Sequence, residues 1–149
     1  MDSFGKDVFN GPAVIIGCTA MLVCLGVQGS TVVLVMTHFK NRVRALVSQQ
    51  RALAAHAMFF GGILVLLMSH ILQIYIWALF LYVPGIMENF HHAVVLSGST
   101  YTTVGFADDT LPLYWQMLAV IMATTGLFAF AWSTSILFLL SQQVYRTED

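Results

Sequence analysis

Aspartate, glutamate, lysine and arginine are absent from residues 8–39, 52–87 and 113–145. Each uncharged run exceeds the ~20 residues that an α-helix needs to cross the hydrocarbon core of a bilayer. Composition points the same way: 58% of the 149 residues are apolar, 9% are charged and mean hydropathy is +0.82. A soluble chain carries about a quarter charged residues. The sequence therefore predicts an all-α integral membrane protein of one domain, with three transmembrane helices. The first is expected over 13–36, the second over 52–83, where "YVPG" stops it, and the third over 113–140.

The remaining charges orient those spans. "HFKNRVRALVSQQR" holds Lys40, Arg42, Arg44 and Arg51, four of the six basic residues in the chain. The positive-inside rule makes this loop cytoplasmic. Counting spans then puts the N-terminus outside, residues 84–112 outside and the C-terminal "SQQVYRTED" inside, with Arg146 in agreement. The expected location is the cell membrane, plasma or inner, crossed several times. No positive run or small-residue cleavage site marks a removable signal peptide. A net charge of −1 leaves no basic footprint for nucleic acid. With nine residues after Leu140, no soluble ligand domain is expected. Cys18 and Cys24, six apart in one helix, read as buried packing thiols. Gly26 with Ser30, and Ala57 with Gly61, have the spacing of helix-packing contacts.

Residues 84–112 do not span. "GIMENFHHAVVLSGS" reads as a short helix opened by the Pro84–Gly85 turn, with Glu88 near its positive end. About 12 residues of helix reach roughly 18 Å, under two thirds of the hydrocarbon thickness. The chain then returns through "TYTTVGFAD". Irregular backbone at membrane depth is tolerated only where protein buries it or water lines it. The segment is accordingly expected to be re-entrant, helix in and extended strand out. The negative end of the helix dipole then points to the membrane centre, where it favours a cation.

The stretch "TTVGFAD", residues 102–108, resembles the selectivity-filter signature of the potassium channel family, usually T-T-V-G-[YF]-G-D. The likeness runs upstream as A-x-x-x-S-x-x-T from Ala93, with Ser97 and Thr100 in register, and downstream through an aspartate and a proline to a long uncharged helix. It covers the chain from about residue 52 to 140, well over half its length. The resemblance implies a homotetrameric pore domain over 52–149: outer helix 52–83, pore helix and filter 86–108, inner helix 113–140. Residues 1–51 add a further helix without counterpart in the two-span channel. It implies that the carbonyls of Thr103, Val104, Gly105 and Phe106, with the Thr103 hydroxyl, replace water around K+. Gly105 supplies the backbone angles that let neighbouring carbonyls point one way. Thr102, Ala107, Asp108 and Asp109 support the filter and its outer mouth. Gly126 stands about where many members have a hinge glycine, and Thr124 and Thr125 either line the cavity beneath the filter or bond back to their own helix.

Two departures open a second reading. Ala107 replaces the second filter glycine, where left-handed geometry costs roughly 1–2 kcal/mol. Val95 and Leu96 replace aromatics that commonly brace the filter. A poorly selective monovalent cation channel, or a non-conducting assembly subunit, are the alternatives. His56 and His70 lie fourteen apart on one helix face, but neither the first nor the third span offers a facing histidine, so no haem or other cofactor is expected. His70 with Gln73 suits interhelical hydrogen bonding or proton sensing. His91 and His92 suit the outer interface or external pH sensing. No G-x-S-x-G or comparable nucleophile motif is present, so no enzyme is expected. Membrane lipids and copies of the chain itself are the expected partners.

Overall fold

A computed structural model describes residues 11–47, 52–106 and 111–145. Among these, four α-helices and one 3-10 turn follow in order: α1 (Gly11–Val47), α2 (Ala52–Tyr82), α3 (Phe90–Tyr101), the turn Leu113–Trp115, and α4 (Gln116–Tyr145). Three stretches are long and apolar enough to cross a membrane: Gly11–Phe39, His56–Tyr82 and Leu113–Gln142. The three expected spans are thus present as helices. A third or less of each is buried within the chain, so most of the apolar surface faces outward, as a multi-pass membrane protein requires.

Local chemistry explains the boundaries. Pro12 sits in the first turn of α1, where its missing N–H costs nothing. At its other end α1 overruns the expected loop and carries Lys40, Arg42 and Arg44 as helix. The reason is cooperative: Lys, Arg, Leu and Ala favour helix, and extending a formed helix needs no new nucleus. Arg51 lies outside the described residues. α2 ends as the "YVPG" turn predicts. Gly85 takes a left-handed φ of 75°, and the Leu81 carbonyl accepts from the amides of both Ile86 and Met87 at 3.1 Å.

α3 starts at Phe90, four residues after the expected residue 86. Asn89 is its N-cap: its side-chain oxygen accepts from the His91 amide at 2.9 Å. The residues before it are committed to closing α2. Glu88 precedes the cap and is exposed. Twelve residues make α3 about 18 Å long.

α1 packs on α2 and α4, and α3 packs on α2 and α4. The first helix therefore docks within its own chain. An alanine carbon at Gly17 would come within 2.6 Å of Ile121 Cδ1, and one at Gly29 within 3.4 Å of Trp132. The expected Gly26 and Gly61 contacts are not made within the chain. Both positions are exposed with nothing within 4 Å of an added Cβ, and the Ser30 hydroxyl bonds back to the Gly26 carbonyl at 2.8 Å. Gly17, Gly29, Gly62 and Gly126 make the close approaches instead. Gly61 opens onto a groove of about 300 Å³ between α1 and α2.

The core has two apolar clusters. One surrounds α3 and includes Ala20, Cys24, Trp77, Leu81, Ala93, Tyr101, Leu118 and Met122. The other holds Val32, Val35, Phe39, Leu66, Ile136 and Leu140. Between them, on α1, α2 and α4, lie Gln28, Ser69, His70, Gln73 and Ser133, all buried.

Candidate functional site

Thr103, Val104, Gly105 and Phe106 emerge from the C-terminal end of α3 and are exposed in the chain. Thr102 caps the helix: its amide donates to the Gly98 carbonyl at 3.1 Å and its hydroxyl to the same oxygen at 2.7 Å. The chain then leaves the helix through a left-handed stop: the Thr103 amide donates to the Thr100 carbonyl at 3.0 Å and the Val104 amide to the Ser99 carbonyl at 2.9 Å. Thr103 has φ 60° and Gly105 has φ 69°, while Val104 between them is not left-handed. A β-branched residue at positive φ is an outlier that costs of order 1–3 kcal/mol. Its hydroxyl donates to the Thr102 carbonyl at 2.7 Å.

The amides say where the carbonyls point. Val104 N–H and Gly105 N–H both donate to one acceptor, the Ser99 carbonyl, at 2.9 and 3.1 Å. No peptide bond among the described residues is cis, and in a planar trans peptide the C=O lies antiparallel to the following N–H. The carbonyls of Thr103 and Val104 therefore both turn away from α3, in the same sense. An ordinary strand would alternate them. Both orientations follow from the helix stop at Thr103, which folds these two amides back onto the Ser99 carbonyl. Ala107, Asp108 and Asp109 lie outside the described residues.

The base of this segment is fixed by close packing. A Cβ on Gly126 would collide with the Tyr101 carbonyl oxygen and lie 2.9 Å from its carbon. α4 runs unbroken through that point, so Gly126 is the place where α3 rests on α4. Of the two threonines before it, Thr125 is buried and Thr124 exposed. Both hydroxyls bond back to their own helix, Thr124 to the Val120 carbonyl at 2.8 Å and Thr125 to the Ile121 carbonyl at 2.7 Å.

Beneath lies a closed set of polar contacts. His70 Nδ1 is 3.0 Å from the Tyr101 hydroxyl, and His70 Nε2 is 3.0 Å from Ser133 Oγ. The Tyr101 hydroxyl donates to Gln73 Oε1 at 3.1 Å. Gln73 Nε2 donates to Gln28 Oε1 at 2.8 Å, and Gln28 Nε2 donates to Ser133 Oγ at 2.7 Å. Five side chains from four helices thus form a ring. Ser69 sits beside it, its hydroxyl on the Leu66 carbonyl at 2.7 Å and 3.2 Å from Gln28 Oε1. The Phe130 ring stacks on the imidazole at a centroid distance of 4.3 Å.

His70 and Gln73 make the interhelical bonds expected of them, but their partners Gln28, Tyr101 and Ser133 are not marked by any sequence motif. One signal was available for two of them: Gln28 and Ser133 are hydrogen-bonding residues far from their helix ends, where an unpaired polar group in lipid costs several kcal/mol. His91 and His92 are exposed at the start of α3 with ring centroids 6.3 Å apart, away from the ring. Two buried polar atoms lack a hydrogen-bond partner among the described residues, Trp77 Nε1 and Ser97 Oγ.

No family model, curated protein or solved structure matches the chain.

Proposed function

We propose that this chain is one subunit of a homotetrameric channel that conducts potassium passively across a cell membrane. The observation that carries the reading is the TTVGF stretch exposed at the C-terminal end of α3, with the Thr103 and Val104 carbonyls turned away from that helix. Tyr101, at the base of that segment, contacts Gly126 and His70, which lie near the middle of the apolar stretches Leu113–Gln142 and His56–Tyr82. At that depth bare carbonyls need water, an ion or protein as partner. Four copies around an axis give each carbonyl a dehydrated cation to coordinate, and the C-terminal dipole of α3 adds negative potential there.

In this arrangement the carbonyls of Thr103, Val104, Gly105 and Phe106 and the Thr103 hydroxyl form the ion sites. Asp108 and Asp109 gather cations at the outer mouth. α4 is the inner helix, and Thr124 faces the space beneath. The N-terminus is outside and the C-terminus cytoplasmic, with lipid around α1 and α2.

The test is flux into liposomes holding purified protein, with potassium or sodium as the sole cation. Barium-sensitive potassium uptake, with sodium excluded, is the expected result. Equal uptake of both ions favours the poorly selective channel that Ala107 suggests. No flux from intact tetramers favours an assembly subunit, and a stable assembly without fourfold symmetry refutes the pore.

A further inference from the structure

The polar ring has a direction. Tyr101 has one hydroxyl proton, and it goes to Gln73 Oε1. Towards His70 the phenol oxygen is then an acceptor, so the imidazole proton sits on Nδ1. In the neutral ring Nε2 is therefore a lone pair, and it accepts from the Ser133 hydroxyl. Ser133 Oγ in turn accepts from Gln28 Nε2, and Gln28 Oε1 from Gln73 Nε2. Every member donates to the next and accepts from the one before. Such circuits polarise their members cooperatively.

This closure needs neutral His70. A second proton on Nε2 faces Ser133 Oγ with two donors and leaves the serine proton to find another acceptor. The charge then stands in a buried layer. The titratable groups packed there are the Tyr101 phenol from α3 and the Cys24 thiol from α1, 4.0 Å from the Gln73 carbonyl. α4 presents Ser133 and the stacked Phe130 ring, whose buried face attracts a cation and is the one contact there that favours the protonated imidazole. No carboxylate among the described residues contacts the ring.

Tyr101 is the last residue of α3, one residue before the Thr102 cap. We propose that the ring is a proton-operated latch on the end of α3: neutral His70 holds Tyr101 in place, and protonation releases it and changes the conformation of residues 102–106. His70 acts here as a positioning residue, through Tyr101. The consequence for flux rests on reading those residues as an ion pathway, whereas the latch itself does not.

The experiment uses the full chain in lipid bilayers, with 15N-labelled histidine and labelled valine and glycine, followed by nuclear magnetic resonance from neutral to acidic pH. At neutral pH His70 is expected as the Nδ1-protonated tautomer, and the Val104 and Gly105 amide signals move with the midpoint of its titration. His70→Gln is expected to abolish that movement while α-helix content and assembly stay unchanged. Ser133→Ala, a milder change, displaces the midpoint and carries the amide response with it. The latch is overturned by an Nε2-protonated tautomer, by a His70 that never titrates while the protein is folded, or by amide signals that ignore its titration. An unaltered pH response in His70→Gln overturns it too. In liposomes, potassium flux changes at the same midpoint. Coupled amide signals without flux at any pH support the latch and refute the conduction reading.

Discussion

Replacing Gly126 with alanine adds one methyl group where α3 meets α4, and that methyl has nowhere to go. Besides the collision with the Tyr101 carbonyl oxygen, it would lie 2.9 Å from the carbonyl carbon and 3.1 Å from the ring Cγ. Ordinary carbon contacts begin at roughly 3.5 Å, and the obstructing atoms are mostly backbone, which cannot rotate aside. One excess methylene in a packed core costs about 1–3 kcal/mol, and an immovable partner puts this site near the upper end. Alanine returns about 1 kcal/mol in helix propensity, so the net loss is about 2 kcal/mol. Gly61→Ala is the internal control, since nothing lies within 4 Å of its added carbon. It should gain about 0.5–1 kcal/mol. At 2–4 °C per kcal/mol for a chain of this size, Gly126→Ala melts roughly 4–8 °C lower and Gly61→Ala a few degrees higher. Circular dichroism of the helices during heating in detergent micelles reads both. If Gly126→Ala melts at or above the parent temperature, the contact is not there, and the glycine acts as a hinge and not a seat.

Four further outcomes are expected. Gly105→Ala meets no atom within 4 Å but places alanine at φ 69°, about 1–2 kcal/mol of strain. Potassium flux is abolished while assembly, read by size-exclusion chromatography, persists; normal flux would refute the filter. Ala107→Gly raises potassium-over-sodium preference or leaves it unchanged in reversal-potential measurements, and a clear fall sinks that view of the position. Ser97→Ala removes a buried hydroxyl without a partner among the described residues, so thermal stability holds or rises by up to about 1 kcal/mol; a loss means the hydroxyl is bonded. Asn89→Ala deletes the cap on the His91 amide and costs about 1 kcal/mol, seen as faster amide exchange in the first turn of α3.

The spans, the α2 stop and the existence of the short third helix were legible because each rests on local chemistry: charge-free length, the Pro84–Gly85 pair and a short apolar run after that turn. The Asn89 cap went unread, so the expected start of that helix lies four residues early. Residues 102–106 were legible as a pattern, but the left-handed Thr103 was not, since nothing in a threonine codon announces positive φ. The polar ring was half legible. His70 and Gln73 share a helix, so their spacing could be read. Gln28 and Ser133 come from other spans, and pairing them requires knowing how far each helix is rotated and how deep it sits. The same ignorance misplaced the packing glycines: Gly26–Ser30 and Ala57–Gly61 have the right interval on faces that look outward. α1 overran its loop because propensity carried it past the charged boundary.

The ring also sets the depth of every helix relative to the others. A helix offers new partners only in steps of one turn, about 5.4 Å along its axis. Were α1 to slide by a single step, Gln28 would leave Gln73 and Ser133 together, stranding an amide and two neighbours amid hydrocarbon. The four helices are therefore indexed like the teeth of a gear, with no intermediate heights to occupy. While the ring is closed, a helix that moves does so by rotating, tilting or bending about that level and not by gliding past it.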